Sequence, residues 1–126
     1  MHGREWSSTV VFLFWDDIGG YYDHVPPPQV DRFGLGPQVP LLIISPFAKP
    51  GYVSLTLSEP SSLLKFVETR DHLPPLTARD RNTSDMLDSF NFSQPPQPPL
   101  LLPSRACPQA RHAAPHPQEY TAFDND

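Results

Sequence analysis

Two stretches of unbroken apolar residues stand out along a chain that is otherwise mixed and polar. Thr9 to Trp15 reads TVVFLFW, β-branched and aromatic throughout, and stops at two aspartates. Val39 to Ser45 reads VPLLIIS and stops at Ser45-Pro46. Short runs that do not alternate suit strands covered on both faces, as in a parallel α/β sheet. A buried helix gives similar runs, but the brevity of both and the prolines at Pro40 and Pro46 favour strand, with Pro40 among the first residues. We therefore expect two neighbouring or near-neighbouring parallel strands. A helical pattern follows, with Leu63, Leu64, Phe66 and Val67 forming an apolar face from Ser61 to about Asp71, packed across the strands. Pro60 suits the first turn of that helix, and Pro74-Pro75 ends any continuation. A shorter helix is expected over Ser84 to Phe90, capped by Thr83 or Ser84.

Between the two apolar runs, Ile18 to Gln38 contains Gly19-Gly20, Pro26-Pro27-Pro28, Gly34 and Gly36, and reads as one long loop. Loops of that length in compact domains are usually functional or disordered. Two parallel strands and two helices do not close an α/β domain, because a strand buried on both faces needs neighbours at both edges and helices above and below. The sequence therefore predicts an incomplete α/β domain.

Composition divides the chain. It has 126 residues with 18 prolines and 6 glycines, and 8 of the prolines follow Ser93. Each proline removes a backbone donor and fixes φ, so neither helix nor sheet can run through that segment. Residues 1–92 are expected to form the folded portion, and residues 93–126 an extended, disordered, proline-rich tail. Net charge is −5 with both signs interspersed, which gives nucleic-acid binding no basic stripe to act through. The apolar runs fall far short of the roughly 20 residues that span a membrane. The opening MHGREW shows no signal-peptide pattern, and the single cysteine, Cys107, has no intrachain disulfide partner.

The candidate chemistry lies just after the first apolar run, in WDDIGGYYDHVPPP. Asp16 and Asp17 sit where an α/β strand ends, the usual place for a ligand. Adjacent carboxylates repel one another, and a hard divalent cation with oxygen ligands would offset their charge. A solvated acidic turn closed by Gly19-Gly20 is the other reading of the same residues. His24 suits a ligand, a general acid or a phosphate donor, or else a histidine that anchors the loop through carbonyls. Asp23 reads as loop structure. Arg79-Asp80-Arg81 reads as a solvated charge cluster, with phosphate contact as the alternative. His72, His112 and His116 have no ligand-like spacing.

These strings, continued by FGLGPQVPLLIISPFAKPGYVS, SSLLKFVE and LPPLTARDRNTSDMLDSFNFSQPP, resemble the bacterial phosphoesterase family that contains phospholipases C and respiratory-burst-inhibiting acid phosphatases. The resemblance runs from about Trp6 to Pro99. It implies the C-terminal part of an alkaline-phosphatase-like parallel-sheet sandwich that hydrolyses phosphate esters, either phospholipid head groups or phosphomonoesters. It further implies that Asp16 and Asp17 ligate a divalent metal ion of unknown identity and that His24 lies near the active site. The family's Glu-Asn metal motif and its serine or threonine nucleophile precede the matching region and have no counterpart here, so no catalytic nucleophile is assigned. Two positions depart from the pattern: Gln38 stands where arginine is usual and Leu55 where histidine is usual. Relatives are usually exported, but nothing in this sequence assigns a compartment. Two other readings stay open: an inactive truncation product, and an interaction segment built on the overlapping P-x-x-P patterns of Gln94 to Pro99.

Overall fold

The computed structural model describes residues 3–17 and 23–106. A 3-10 turn at Arg4–Ser8 leads into strand β1 (Val11–Phe14), and strand β2 (Leu41–Ile44) follows the long loop. Helix α1 spans Ser61–Asp71 and helix α2 spans Ala78–Asn82, with a second 3-10 turn at Leu87–Ser89. Helices and a sheet are both present, so the class is α/β, on a small scale. No helix among the described residues is long and apolar enough to cross a membrane.

The two strands pair antiparallel, with Val11 opposite Ile44 and Phe14 opposite Leu41. This corrects the parallel arrangement expected from the apolar runs. A parallel return requires a crossover, usually a helix that runs back along the sheet. The segment before β2 carries Pro26-Pro27-Pro28 and makes a turn instead, in which the Asp31 carboxylate accepts the amides of Phe33 and Gly34 at 2.8 and 3.1 Å. Gly34 has φ of 66°, and a Cβ there would meet Gln29 Oε1 at 2.8 Å, so the turn needs glycine. With no helix among the described residues of this connection, the chain comes back beside β1.

Among the described residues only one face of the sheet is covered, which also departs from the expectation of burial on both faces. Phe12 and Ile43, opposite one another, pack against a buried cluster of Phe66, Met86 and Phe90. Phe12 meets Phe66 edge-on at 5.2 Å and Phe90 at 6.4 Å. Phe90 stacks on Phe92 at 5.2 Å, and an isolated bridge joins Phe90 to Ala48. On the other face Val11, Leu13 and Leu42 are exposed.

Helix α1 follows the predicted limits, with Phe66 turned to the core and Leu63 beside it, whereas Leu64 and Val67, expected on the same packed face, are exposed. It stops before the prolines, at His72, whose left-handed conformation lets the Leu73 amide reach the Glu68 carbonyl at 2.9 Å. Helix α2 was not foreseen. It starts at a reciprocal cap in which the Thr77 hydroxyl accepts from the Arg79 and Asp80 amides and Asp80 accepts from the Thr77 amide. The helix expected over Ser84 to Phe90 is reduced to the 3-10 turn, because Met86 takes a left-handed conformation that breaks any helix there. Ser62 and Thr83 share a hydroxyl hydrogen bond of 2.9 Å that ties α1 to the end of α2.

The proline-rich segment begins docked to this body. Gln97 donates its amide to the Pro46 carbonyl at 3.0 Å, and its own carbonyl accepts from Trp6 Nε1 at 2.8 Å. Gln94 Nε2 also reaches Pro46, at 3.3 Å. Beyond Gln97 the segment forms neither helix nor strand through residue 106, and residues 107–126, including Cys107, His112 and His116, lie outside the described residues.

Because the core is a single aromatic cluster, Phe66→Ala should cost about 3 kcal/mol or more, enough to remove cooperative unfolding in urea from a body this small. Leu13→Ser, on the open face, should shift the same transition by no more than about 0.5 kcal/mol. Equal effects of the two would show that the inner face is not the core.

Candidate functional site

Pairing of Phe14 with Leu41 sends the chain after β1 and the chain before β2 past the same end of the sheet. Asp16 and Asp17 therefore project at the end that also holds Gln38. Both aspartates are exposed, and the Asp17 amide donates to Asp16 Oδ1 at 3.1 Å. Gly19-Gly20, Tyr21 and Tyr22 lie outside the described residues.

The far side of the loop is closed by Asp23. Its Oδ1 accepts the Val25 amide at 3.0 Å and its Oδ2 accepts the Gln38 amide at 2.8 Å, across fifteen residues. The Gln38 amide, then that of Val25, holds the Asp23 carboxyl below the usual carboxylate range. Asp23 is thus a loop fastener, and it brings its neighbour His24, which is exposed, to the same sheet end as Asp16, Asp17 and Gln38.

The donor chemistry of Asp16 and Asp17 suits a hard divalent ion, since both offer exposed carboxylate oxygens. Their number does not suffice. Among the described residues no group of three or more histidine, cysteine or acidic side chains gathers where a metal could sit. The pair could be part of a metal site and is not a complete one.

A concavity lies elsewhere. A cleft of about 610 Å³ is lined by Val30, Asp31, Leu57, Glu59, Arg79 and Asp85 among others, and includes neither Asp16, Asp17 nor His24. Its wall is built by Arg79. The guanidinium donates to Glu59 Oε2 at 2.6 Å, to Asp31 Oδ2 at 3.1 Å and to the Gly34 carbonyl at 3.0 Å. The Glu59 carboxylate, with Asp31 behind it, raises the Arg79 pKa further. An arginine held by two carboxylates and a carbonyl is a poor phosphate receptor, so Arg79 acts as a clamp joining three segments. Asp80, beside it, is 1% exposed. The expectation of a solvated charge cluster at Arg79-Asp80-Arg81 is corrected for Arg79 and Asp80 and holds for Arg81, which is exposed. The signal was present in the sequence: Thr77 followed three residues later by an acid is a capping pattern.

The two departures from the family pattern sit in different settings. Gln38 gives its amide to Asp23. Leu55 is 96% exposed, between Ser54 and Thr56, which with Tyr52 direct their hydroxyls to Asp88 at 2.6, 3.5 and 3.0 Å respectively. The Ser54 hydroxyl foremost holds the Asp88 carboxyl low, and Asp88 in turn raises the Tyr52 phenol.

A small α/β body with paired carboxylates at one end of its sheet defines the class of protein only broadly. Comparison with known proteins narrows it. A family model described as Phosphoesterase family matches residues 1–74. Non-hemolytic phospholipase C of Burkholderia pseudomallei is 31% identical, with 71% of this chain and 18% of the relative aligned. Phospholipase C B of Mycobacterium tuberculosis is 32% identical, with 74% of this chain and 23% of the relative aligned. Non-specific phospholipase C3 of Arabidopsis thaliana is 36% identical over a shorter stretch, 45% of this chain and 13% of the relative. The chain belongs to the Phosphoesterase family. It spans about a fifth of the length of the bacterial relatives it matches.

Asp23 gives this site a pH dependence with a definite sign. Its folded pKa lies below the ordinary 3.8, so its contribution is present above that value and is lost as pH falls through the folded value. Asp23→Ala should remove hydrogen-exchange protection from the Gln38 amide and abolish its acid sensitivity. Retained protection at Gln38 in the variant would show that something else closes the loop.

Proposed function

We propose that this chain forms the part of a phosphate-ester hydrolase that presents Asp16 and Asp17 to a divalent metal ion, in an enzyme of the phospholipase C or acid phosphatase type. The observation that carries the reading is the convergence of Asp16, Asp17, the Asp23-His24 turn and Gln38 at one end of the sheet. A bound divalent ion supplies charge to offset the phosphoryl oxygens and to lower the pKa of a hydroxyl. The residues of this chain have simpler tasks. Asp16 and Asp17 offer oxygen ligands, Asp23 fixes the loop, and His24 stands where it could contact a phosphate oxygen or move a proton.

In this reading the remaining ligands and the nucleophile belong to the rest of a larger phosphoesterase domain, as an incomplete unit requires. The exposed outer sheet face and the chain's one-fifth share of its bacterial relatives support that reading. The substrate class is a phospholipid or a phosphomonoester, as the names of the relatives suggest for the first. The same proposal places the folded part in residues 1–92 and treats residues 93–126 as an appended segment.

The test is to join the chain to the N-terminal portion of a close relative and measure Mn²⁺ affinity by calorimetry together with phosphate release from an aryl phosphate and from phosphatidylcholine. Asp16→Asn and Asp17→Asn should each weaken metal binding by about tenfold or more, the scale on which a charged oxygen ligand matters. Hydrolysis should fall with it. Unchanged affinity in both variants would refute the ligand assignment, whichever ester is cleaved.

A further inference from the structure

Helices α1 and α2 also meet through two carboxyl groups that play no part in the site above. Asp80 is fully enclosed. Its Oδ1 accepts from the Thr77 amide at 2.8 Å and from the Thr77 hydroxyl, and its Oδ2 accepts from the Leu76 amide at 2.6 Å. Three donors on one carboxyl group favour its ionised form. Glu68 of α1 interacts with it and is itself only 7% exposed. Read as an ionised carboxylate, Glu68 has both oxygens enclosed and neither paired. Such a group would bear the cost of lost hydration and the repulsion of Asp80 together.

A single proton removes both costs, because a protonated Glu68 becomes a donor aimed at Asp80, an acceptor already fixed in place. The other groups near the pair do not supply an alternative. The Leu76 amide, already given to Asp80, and Lys65 on the same helix favour the charged form of Glu68, but both stand behind burial and Asp80. Arg79 of α2 is committed to Glu59 and Asp31, and Arg70 pairs with Asp71 at the end of α1. We propose that Glu68 and Asp80 share one proton, and that this proton is a pH-sensitive latch between α1 and α2. Because α2 carries Arg79, the latch also sets how firmly the wall of the 610 Å³ cleft is held.

The direction follows from the two partners. Burial, then Asp80, pushes the Glu68 carboxyl above its ordinary 4.5, while the Thr77 hydroxyl foremost holds Asp80 well below the usual carboxylate range. The Glu68 contribution is complete below the ordinary value and is lost as pH rises through the folded value. The Asp80 contribution is present above the ordinary value and is lost only as pH falls through its own depressed one. The latch is therefore strongest between the two folded values and loosens as pH rises through that of Glu68.

The test uses the full 126-residue chain, with the Glu68 carboxyl followed by carbon-13 NMR and the Leu76 and Thr77 amides followed by hydrogen exchange, expressed as protection relative to an open chain. Glu68 should titrate above 4.5, and amide protection should fall as pH rises through that same titration. Glu68→Gln supplies a permanent donor, so in that variant protection should stay flat over the same range. A Glu68 titration at or below 4.5, whether the chain is folded or open, overturns the proposal. So does an equal loss of protection with pH in Glu68→Gln.

Discussion

The ring of Phe66 meets Phe12 edge-on and lies 5.2 Å from Phe90, and this contact holds the sheet, α1 and the C-terminal turn as one body. A two-stranded sheet has little stability of its own in water and needs an apolar partner on at least one face. Here that partner is α1, which delivers Phe66 and Leu63 to the face bearing Phe12 and Ile43. Without it β1 and β2 would have no reason to hold register, and Asp16, Asp17 and Gln38 would not be kept at the same end. The polar fasteners are secondary to this contact. Asp23, Arg79 and Asp88 each collect donors from segments that the aromatic cluster has already brought close.

Much of this was legible in the sequence, for identifiable reasons. The apolar face of α1 and its entry at Pro60 fixed that helix to its observed limits. Both apolar runs became strands, shortened at each end. Their direction was not legible, because an unbroken apolar run reports burial and does not say which way the neighbour runs. Burial itself was overstated: Leu13 and Leu42 are as apolar as Phe12 and Ile43 yet face outward. The loop fastener at Asp23 was anticipated in kind, though its partner at Gln38 depends on the antiparallel return. The Arg79 clamp and the Glu68–Asp80 contact were hidden, because each joins residues from separate elements and each places charge where composition alone puts it in solvent.

Membership of the Phosphoesterase family and the arrangement at the sheet end point the same way. An acidic pair with exposed oxygens is of use to a cation only when further ligands complete the shell. The described residues bring Asp16 and Asp17 to a position open on the outer side and leave that shell unfilled. The cleft beside Arg79 is walled by a cation whose charge is already offset by Glu59 and Asp31. The proposed function therefore rests on the carboxylates of the Asp16 end and not on the cleft.

The central claim, that a divalent ion is drawn to Asp16 and Asp17, is tested most directly by adding Mn²⁺ to the chain and following paramagnetic broadening of its amide resonances. The account predicts that Asp16, Asp17, His24 and Gln38 broaden first and that Asp16→Asn weakens the effect at all four. Broadening that begins around Glu59 and Asp85, or that spreads evenly over the acidic residues, would contradict it.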